Sequence, residues 1–268
     1  MAVSQVILVA IIGLALTPVI LGKHPSKITH GLDAEIKDWP SIVSIQRQYQ
    51  YNFGYSHWCG GSLITRRHVL TAAHCLSEFG TGPLTMHDKD LMSVVSGTSD
   101  NQQPNYISGI KEMAIHPGFT GDLPDFLHDI GIITLMHDIT IDETQNIARL
   151  PSSNIHVGTY AVVLGWGYLV HDSGVTSRIL QKAPVITLDN IECNQRAPSL
   201  IFENQVCGLW DGRRGVCQGD SGGPLISTNN EVIGVVSMTW KCGGGNPDVY
   251  TRVYPYLTWI YGVINDSF

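Results

Sequence analysis

Apolar residues in this chain fall in short runs, broken repeatedly by glycine, proline, asparagine and aspartate. Residues 41–48, 60–64, 68–72, 108–116, 130–135 and 160–166 read as strands, and so do 179–185, 224–227, 232–238 and 249–253. Many short strands with turn residues between them argue for an all-β chain built as a barrel or sandwich. Two stretches, 81–90 and 100–105, lack such runs and read as exposed loops. The period changes near the C-terminus. Tyr254 to Ile264 reads as a helix, with Leu257, Ile260, Tyr261 and Ile264 on one face. It is too short to span a bilayer, so its apolar face is expected to pack on the strands.

Residues 1–22 are apolar from Val6 to Ala15 and carry Pro18 near their end. They read as a secretory signal peptide, cut between residues 15 and 22, and imply an extracellular protein. A membrane anchor is the alternative. Pro18, Gly22 and the polar run Lys23-His24-Pro25-Ser26-Lys27 count against it. Six cysteines in a secreted chain read as three disulfides, with the pairing left open by spacing alone. The formal net charge is -7 with no lysine or arginine cluster, which counts against a nucleic-acid partner. The 28 glycines suit a turn-rich β chain. Asn265-Asp266-Ser267 is a glycosylation sequon at the end of the chain. No repeat or second module is visible.

Three stretches carry candidate chemistry. In Cys217-Gln218-Gly219-Asp220-Ser221-Gly222-Gly223-Pro224 one serine sits among glycines. Such a turn can hold a hydroxyl in the open and aim backbone N–H groups at one spot, as attack on a carbonyl requires. An ordinary loop would read the same way in isolation. The stretch from Gly219 to Gly223 also fits the G-x-S-x-G elbow, but that arrangement needs a histidine after the serine. The last histidine here is His171. Leu70-Thr71-Ala72-Ala73-His74-Cys75 places a histidine beside a cysteine at the end of an apolar run. His128-Asp129-Ile130-Gly131-Ile132-Ile133 places an acid at the mouth of another. The order is histidine, aspartate, serine.

With these three motifs in this order, the chain resembles the chymotrypsin/trypsin-like serine peptidase family from Ile28 to its C-terminus. The resemblance implies an all-β fold of two six-stranded antiparallel β-barrels with a C-terminal helix. His74 and Asp129 would lie on the first barrel and Ser221 on the second. It implies Ser221 as nucleophile, His74 as general base and Asp129 as the group that orients the imidazole. The N–H groups of Gly219 and Ser221 would form the oxyanion hole. Ser237 matches a position that bonds the aspartate and the substrate backbone. The implied disulfides are Cys59 with Cys75, Cys193 with Cys207, and Cys217 with Cys242.

Lys27-Ile28-Thr29-His30-Gly31 matches an activation site at Ile28 and Gly31, and departs from it at Thr29 and His30. It divides the chain into a leader (1–22), an activation propeptide (23–27) and a peptidase domain (28–268). The new Ile28 ammonium would pair with Asp220, so that the uncleaved chain is a zymogen. In the primary pocket, Gly215 takes the floor position where trypsin-like members have aspartate, and Val216 follows it. Thr239 falls at the neck, Asp248 on the back wall, and Met238 replaces an aromatic residue. Val216 and Thr239 favour a small or medium apolar P1 side chain. An accessible Asp248 would instead favour broad or basic specificity.

The expected protein is therefore a secreted serine endopeptidase acting through an acyl-enzyme. Its expected partners are protein or peptide substrates, an activating protease and protein protease inhibitors, without a membrane partner and as a monomer. No cofactor is expected. Calcium is not expected either, because residues 95–108 hold Asp100 as their single acid. The alternatives are a weak or inactive homologue that acts as a binding protein, and an esterase on the same fold.

Overall fold

The computed structural model describes residues 28–29, 31–48, 54–78, 84–121 and 126–266. The expected leader and propeptide with Lys27, the departure at His30, part of the 81–90 loop and Ser267 of the sequon lie outside these residues.

The N-terminal half carries strands β1 (Leu32–Asp33), β2 (Ile42–Arg47), β3 (Ser56–Leu63), β4 (His68–Thr71), β5 (Ser77–Glu78), β6 (Thr85–Met86), β7 (Met92–Ser96), β8 (Tyr106–Ser108), β9 (Ile110–Ile115) and β10 (Gly131–Leu135). The C-terminal half carries β11 (Tyr160–Gly165), β12 (Gln181–Leu188), helix α1 (Asn190–Arg196), β13 (Gln205–Leu209), β14 (Pro224–Ser227), β15 (Val232–Met238), β16 (Asp248–Arg252) and helix α2 (Leu257–Asp266). All the strand pairs are antiparallel.

Apart from the small β5–β6 hairpin, the strands form two sheets. The first runs β8-β7-β2-β3-β4-β10-β9. Its two outer members are separated only by Gly109, so the ring closes along one bent strand rather than through a further ladder. The second runs β12-β11-β14-β15-β16-β13 and closes by pairing β12 with β13, with β1 added outside β12. Strand β12 buries every second residue, Gln181, Ala183, Val185 and Thr187, as one covered face dictates. The strands β4, β7 and β10 are buried throughout.

One core gathers Ile45, Leu63, Leu70, Ile132 and Ile133 of the first barrel with Ile260 and Ile264 of α2. The second barrel has its own cluster around Val163, Val185, Leu225 and Tyr250, and Ile28 joins it with no exposed surface. The three disulfides join Cys59 to Cys75, Cys193 to Cys207 and Cys217 to Cys242, and no cysteine is free.

Three expectations need correction. Strands β1, β5, β7 and β13 were not expected, nor was α1. The 81–90 stretch contributes β6 and a 3-10 turn at Lys89–Leu91. Residues 102–105 form an exposed loop as expected, anchored where Asp100 bridges Ile179 and holds Arg178 through a fork of 2.6–2.8 Å hydrogen bonds. At the C-terminus, Tyr254–Tyr256 winds as a 3-10 turn with Pro255 in it before the α-helix starts. Leu257, Ile260, Tyr261 and Ile264 all lie inside α2, where the buried stripe is narrower than the expected face. Ile260 and Ile264 are buried, Tyr256 takes the inward place, and Tyr261 is 51% exposed. Among the described residues no helix is long and apolar enough to cross a membrane.

Candidate active site

Strand pairing brings His74 and Asp129 together. Strands β4 and β10 run antiparallel with Thr71 opposite Gly131. The chain leaving β4 and the chain entering β10 therefore lie side by side. His74 sits in the 3-10 turn Ala73–Cys75 just past β4, and Asp129 lies two residues before β10. The disulfide to Cys59 of β3 holds that turn.

Asp129 is fully buried. Its Oδ1 accepts the backbone N–H of His74 at 2.9 Å, and its Oδ2 lies 2.7 Å from His74 Nδ1. The Ser237 hydroxyl, from β15 of the second barrel, donates to the same Oδ2 at 2.6 Å. Thr251 of β16 donates to the Asp129 carbonyl at 2.8 Å. These bonds fix the imidazole with Nδ1 toward the acid, and so turn Nε2 to the other side of the ring. Phe126 stands edge-on to the His74 ring at 5.5 Å.

Ser221 lies in a turn pinned to both barrels. Its carbonyl accepts the N–H of Gly60 on β3 at 2.8 Å, and the N–H of Gly222 donates to Val236 O on β15 at 2.8 Å. Gly219 (φ 95°) and Gly222 (φ 75°) occupy the left-handed region that a residue with a Cβ avoids. A Cβ at Gly222 would also collide with Thr71 and Gly60. The N–H groups of Asp220, Gly222 and Gly223 each have a backbone acceptor. Those of Gly219 and Ser221 have none among the described residues. The turn thus leaves two donors unused on either side of one acid.

That acid, Asp220, is also buried. It accepts N–H bonds from Gly167 at 2.7 Å and Cys217 at 2.9 Å. Burial raises its pKa to about 7 against the pull of those two bonds. A Cβ on Gly165 or Gly167 would run into its carboxylate. The Ile28 side chain is buried in the same barrel, packed in the cluster that includes Val216.

Beside Ser221 a cavity of about 230 Å³ is lined by His74, Phe126, Val216, Ser237, Met238 and Thr239, among others. A larger cleft of about 560 Å³ lies along Asn190, Asn204 and Arg252 and holds none of the expected site residues. Asp248 does not line the smaller cavity. Its Oδ1 accepts the Thr239 hydroxyl at 2.7 Å and its Oδ2 the Val216 N–H at 2.9 Å. It is 5% exposed, and burial raises its pKa to about 7. Gly215, expected at the pocket floor, does not line the cavity either; a Cβ on it would lie 2.8 Å from that Oδ2, so the glycine leaves room for the carboxylate.

Two residues of this region escaped the sequence reading. One is Phe126. The other is His57, on β3 two residues before Cys59. Its Nε2 lies 2.8 Å from Gly219 O and its Nδ1 2.7 Å from Ser44 Oγ. A carbonyl only accepts, so Nε2 carries the proton and the Ser44 hydroxyl donates to Nδ1. The ring is neutral, and burial lowers its pKa to about 4. A polar residue on the strand that touches the serine turn was its one sequence signal. The sulfurs near His74 and His171 belong to disulfides, so they are not thiolate ligands for a metal.

Two antiparallel barrels, with an acid–imidazole pair from one and a glycine-bound serine from the other, define the serine peptidase class. The trypsin family model matches residues 28–260, and the chain belongs to that family. It is 36% identical to a trypsin of Sus scrofa over 225 residues, covering 82% of this chain and 91% of that protein. It is 35% identical to a trypsin of Xenopus laevis over 242 residues, covering 89% and 91%. It is also 30% identical to a chymotrypsin-like elastase family member 1 of Canis lupus familiaris over 249 residues, covering 89% and 93%. The protein is a serine endopeptidase, a hydrolase with three disulfides.

Proposed function

We propose that this endopeptidase is secreted as a zymogen, opened after Lys27, and cleaves after small or medium apolar residues. Ser221 attacks the scissile carbonyl while His74 takes its proton. The same imidazole, held by Asp129, then returns the proton to the leaving amine. The unused N–H groups of Gly219 and Ser221 receive the oxyanion. Water enters next, activated by His74, and releases the acyl group from Ser221.

The observation that carries this reading is the doubly bonded Asp129–His74 pair, with His74 on the wall of a cavity that Ser221 shares. Supporting the P1 preference, the cavity meets Val216 and Thr239, while both oxygens of Asp248 are occupied behind it. Supporting activation, Asp220 is a buried acid without a cationic partner among its hydrogen-bonding neighbours, and Ile28 is buried in the same barrel. A cleaved Ile28 ammonium would supply that partner. The unused donors and the intact pair speak against the inactive-homologue reading.

The test is a peptide library varied at P1, run on the chain cleaved after Lys27 and on a Ser221→Ala control. Cleavage after Ala, Val or Leu that is absent from the control is the expected result. Cleavage after Lys or Arg alone would overturn the P1 assignment. No cleavage at all, with Ile28 verified as the first residue, would favour the binding homologue.

A further inference from the structure

The cleft of about 560 Å³ along Asn190, Asn204 and Arg252 takes no part in the proposed chemistry. It shares no lining residue with the cavity beside Ser221. Its volume falls in the range of ~300–1,000 Å³ that small-molecule sites occupy. Among its described lining residues the one cation is Arg252, at the end of β16. Arg252 is half-buried, and burial lowers its pKa. The other half-buried arginines each have a carboxylate within 4.0 Å: Glu78 for Arg47, Asp138 for Arg67 and Asp211 for Arg214. Arg252 has none among the described residues.

An arginine presents its N–H groups as a planar fork. Nε of Arg252 donates to Gln205 O at 2.8 Å and anchors the guanidinium. The two outer nitrogens reach only amide oxygens at the limit of hydrogen bonding, Asn154 Oδ1 at 3.4 Å and Asn190 Oδ1 at 3.5 Å. The fork is held in place and nearly unused. A carboxylate matches it with two parallel bonds, each roughly twice as strong as a bond to a neutral acceptor. The neighbouring amides are fixed too. Asn190 Nδ2 donates to Phe202 O at 2.7 Å, and Asn204 Nδ2 to the Tyr256 hydroxyl at 2.6 Å. Little ordering is left for a ligand to impose, which favours binding.

The walls decide which carboxylate fits. Asp189 and Glu203 also line the cleft, and neither lies in ion-pair range of Arg252. Two acids repel a multiply charged anion such as sulfate and attract an ammonium group. Ile155, Val157 and Pro255 add an apolar side. One carboxylate, one ammonium and an apolar side chain describe a short peptide with free ends.

We propose that this cleft is a second binding site, separate from the catalytic one, for short peptides, with the C-terminal carboxylate on Arg252 and the ammonium toward Asp189 and Glu203. Each hydrolysis of a peptide bond makes one such carboxylate, so the ligands belong to the class of the enzyme's own products. That last clause rests on the serine-peptidase reading; the binding does not.

The experiment is titration calorimetry on the full-length chain carrying Ser221→Ala, which cannot hydrolyse the probe. The probes are the dipeptide Leu-Val, its C-terminal amide, its N-acetyl derivative and sulfate. Leu-Val should bind with a Kd of about 1 mM or tighter. The amide, or Arg252→Gln, should weaken binding by about tenfold or more. The N-acetyl derivative should weaken it less, by about threefold, because Glu203 is exposed. Asn154→Asp should abolish binding, since its carboxylate would take the fork from within. Sulfate should not bind.

An amide that binds as tightly as the acid would overturn the assignment. So would Leu-Val binding that survives Asn154→Asp, which would place the peptide elsewhere, or no binding of Leu-Val at all. Sulfate binding more tightly than Leu-Val would replace the peptide site with a plain anion site. If Arg252→Gln does not fold, Asn154→Asp at its exposed position carries the comparison. No catalysis is read, so failure here is distinct from failure of the peptidase reading, which labelling of Ser221 tests.

Discussion

Asp129 and Asp248 make an instructive pair. Each is a buried aspartate near the start of a strand, and each accepts a hydroxyl from the end of β15, from Ser237 and Thr239 respectively. They differ in what else they meet. Asp129 faces an imidazole that reaches the cavity beside Ser221, through bonds to both the ring and the backbone of His74. Asp248 faces only neutral donors, and its pKa rises to about 7. A buried acid with a partner that can become a cation can stabilise charge during a reaction. A buried acid with neutral partners is set aside. Nearly the same local chemistry, from two hydroxyls two residues apart at the end of β15, is proposed to serve catalysis in one place and pocket shape in the other.

That contrast can be broken by mutation. The largest expected effect is on turnover. Asp129→Asn should lower kcat by ~10⁴, because the amide favours the wrong imidazole tautomer. Asp248→Asn should cost less than about tenfold on a substrate with Val at P1, since it touches only the pocket wall. Equal losses in the two variants, measured with one substrate, would erase the distinction.

The next effect tests the frame that holds Asp129. Helix α2 buries Ile260 completely in the same core as Ile132 and Ile133, which follow Asp129 along β10. Ile260→Ala should destabilise the protein by about 2–5 kcal/mol. Chemical denaturation measures it, and a change below about 1 kcal/mol would mean that the helix is not part of this core.

A smaller effect is expected at Ser237. Removing its hydroxyl leaves Asp129 with both His74 bonds, so Ser237→Ala should lower kcat/KM by about tenfold, near the cost of one hydrogen bond to a charged group. The loss should fall on kcat rather than KM, since the hydroxyl bonds the acid that holds His74. A loss confined to KM would make Ser237 a substrate-contact residue only.

The last effect is on stability and pH. Asp248 has a folded pKa of about 7, above its ordinary value of 3.8. The folded state therefore holds the proton better, and the stability this adds is complete at low pH and lost as pH rises through about 7. In the uncleaved chain the Tm of the wild type, compared with Asp248→Asn, should fall as pH goes from about 4 to about 7. A wild-type Tm that instead rises relative to Asp248→Asn over that range would show that Asp248 has a cationic partner after all.

Much of this was legible in the sequence. The motifs around His74, Asp129 and Ser221 announce themselves because the chemistry demands particular residues in particular turns. Strands such as Ile42–Arg47 and Val232–Met238 follow from apolar runs between turn residues. Strand β7 did not, because Met92-Ser93-Val94-Val95-Ser96 mixes serine into a stretch that is buried on both faces. Strand β13 did not, because Gly208 is there for packing: a Cβ would strike Val185. His57 and the state of Asp248 were hidden for another reason. Each depends on a partner far away in sequence, Gly219 for one and the Thr239 hydroxyl with Val216 for the other, and those meetings exist only once the ladders form.

The central claim is that the Asp129–His74 pair activates Ser221 once the chain is opened after Lys27. The direct measurement is to label the cleaved and uncleaved chains with diisopropyl fluorophosphate and locate the adduct by mass spectrometry of peptides. The account predicts one adduct, on Ser221, formed rapidly in the cleaved chain, slowly in the uncleaved chain, and not in His74→Ala. An adduct on another residue, or equal labelling before and after cleavage, would contradict it.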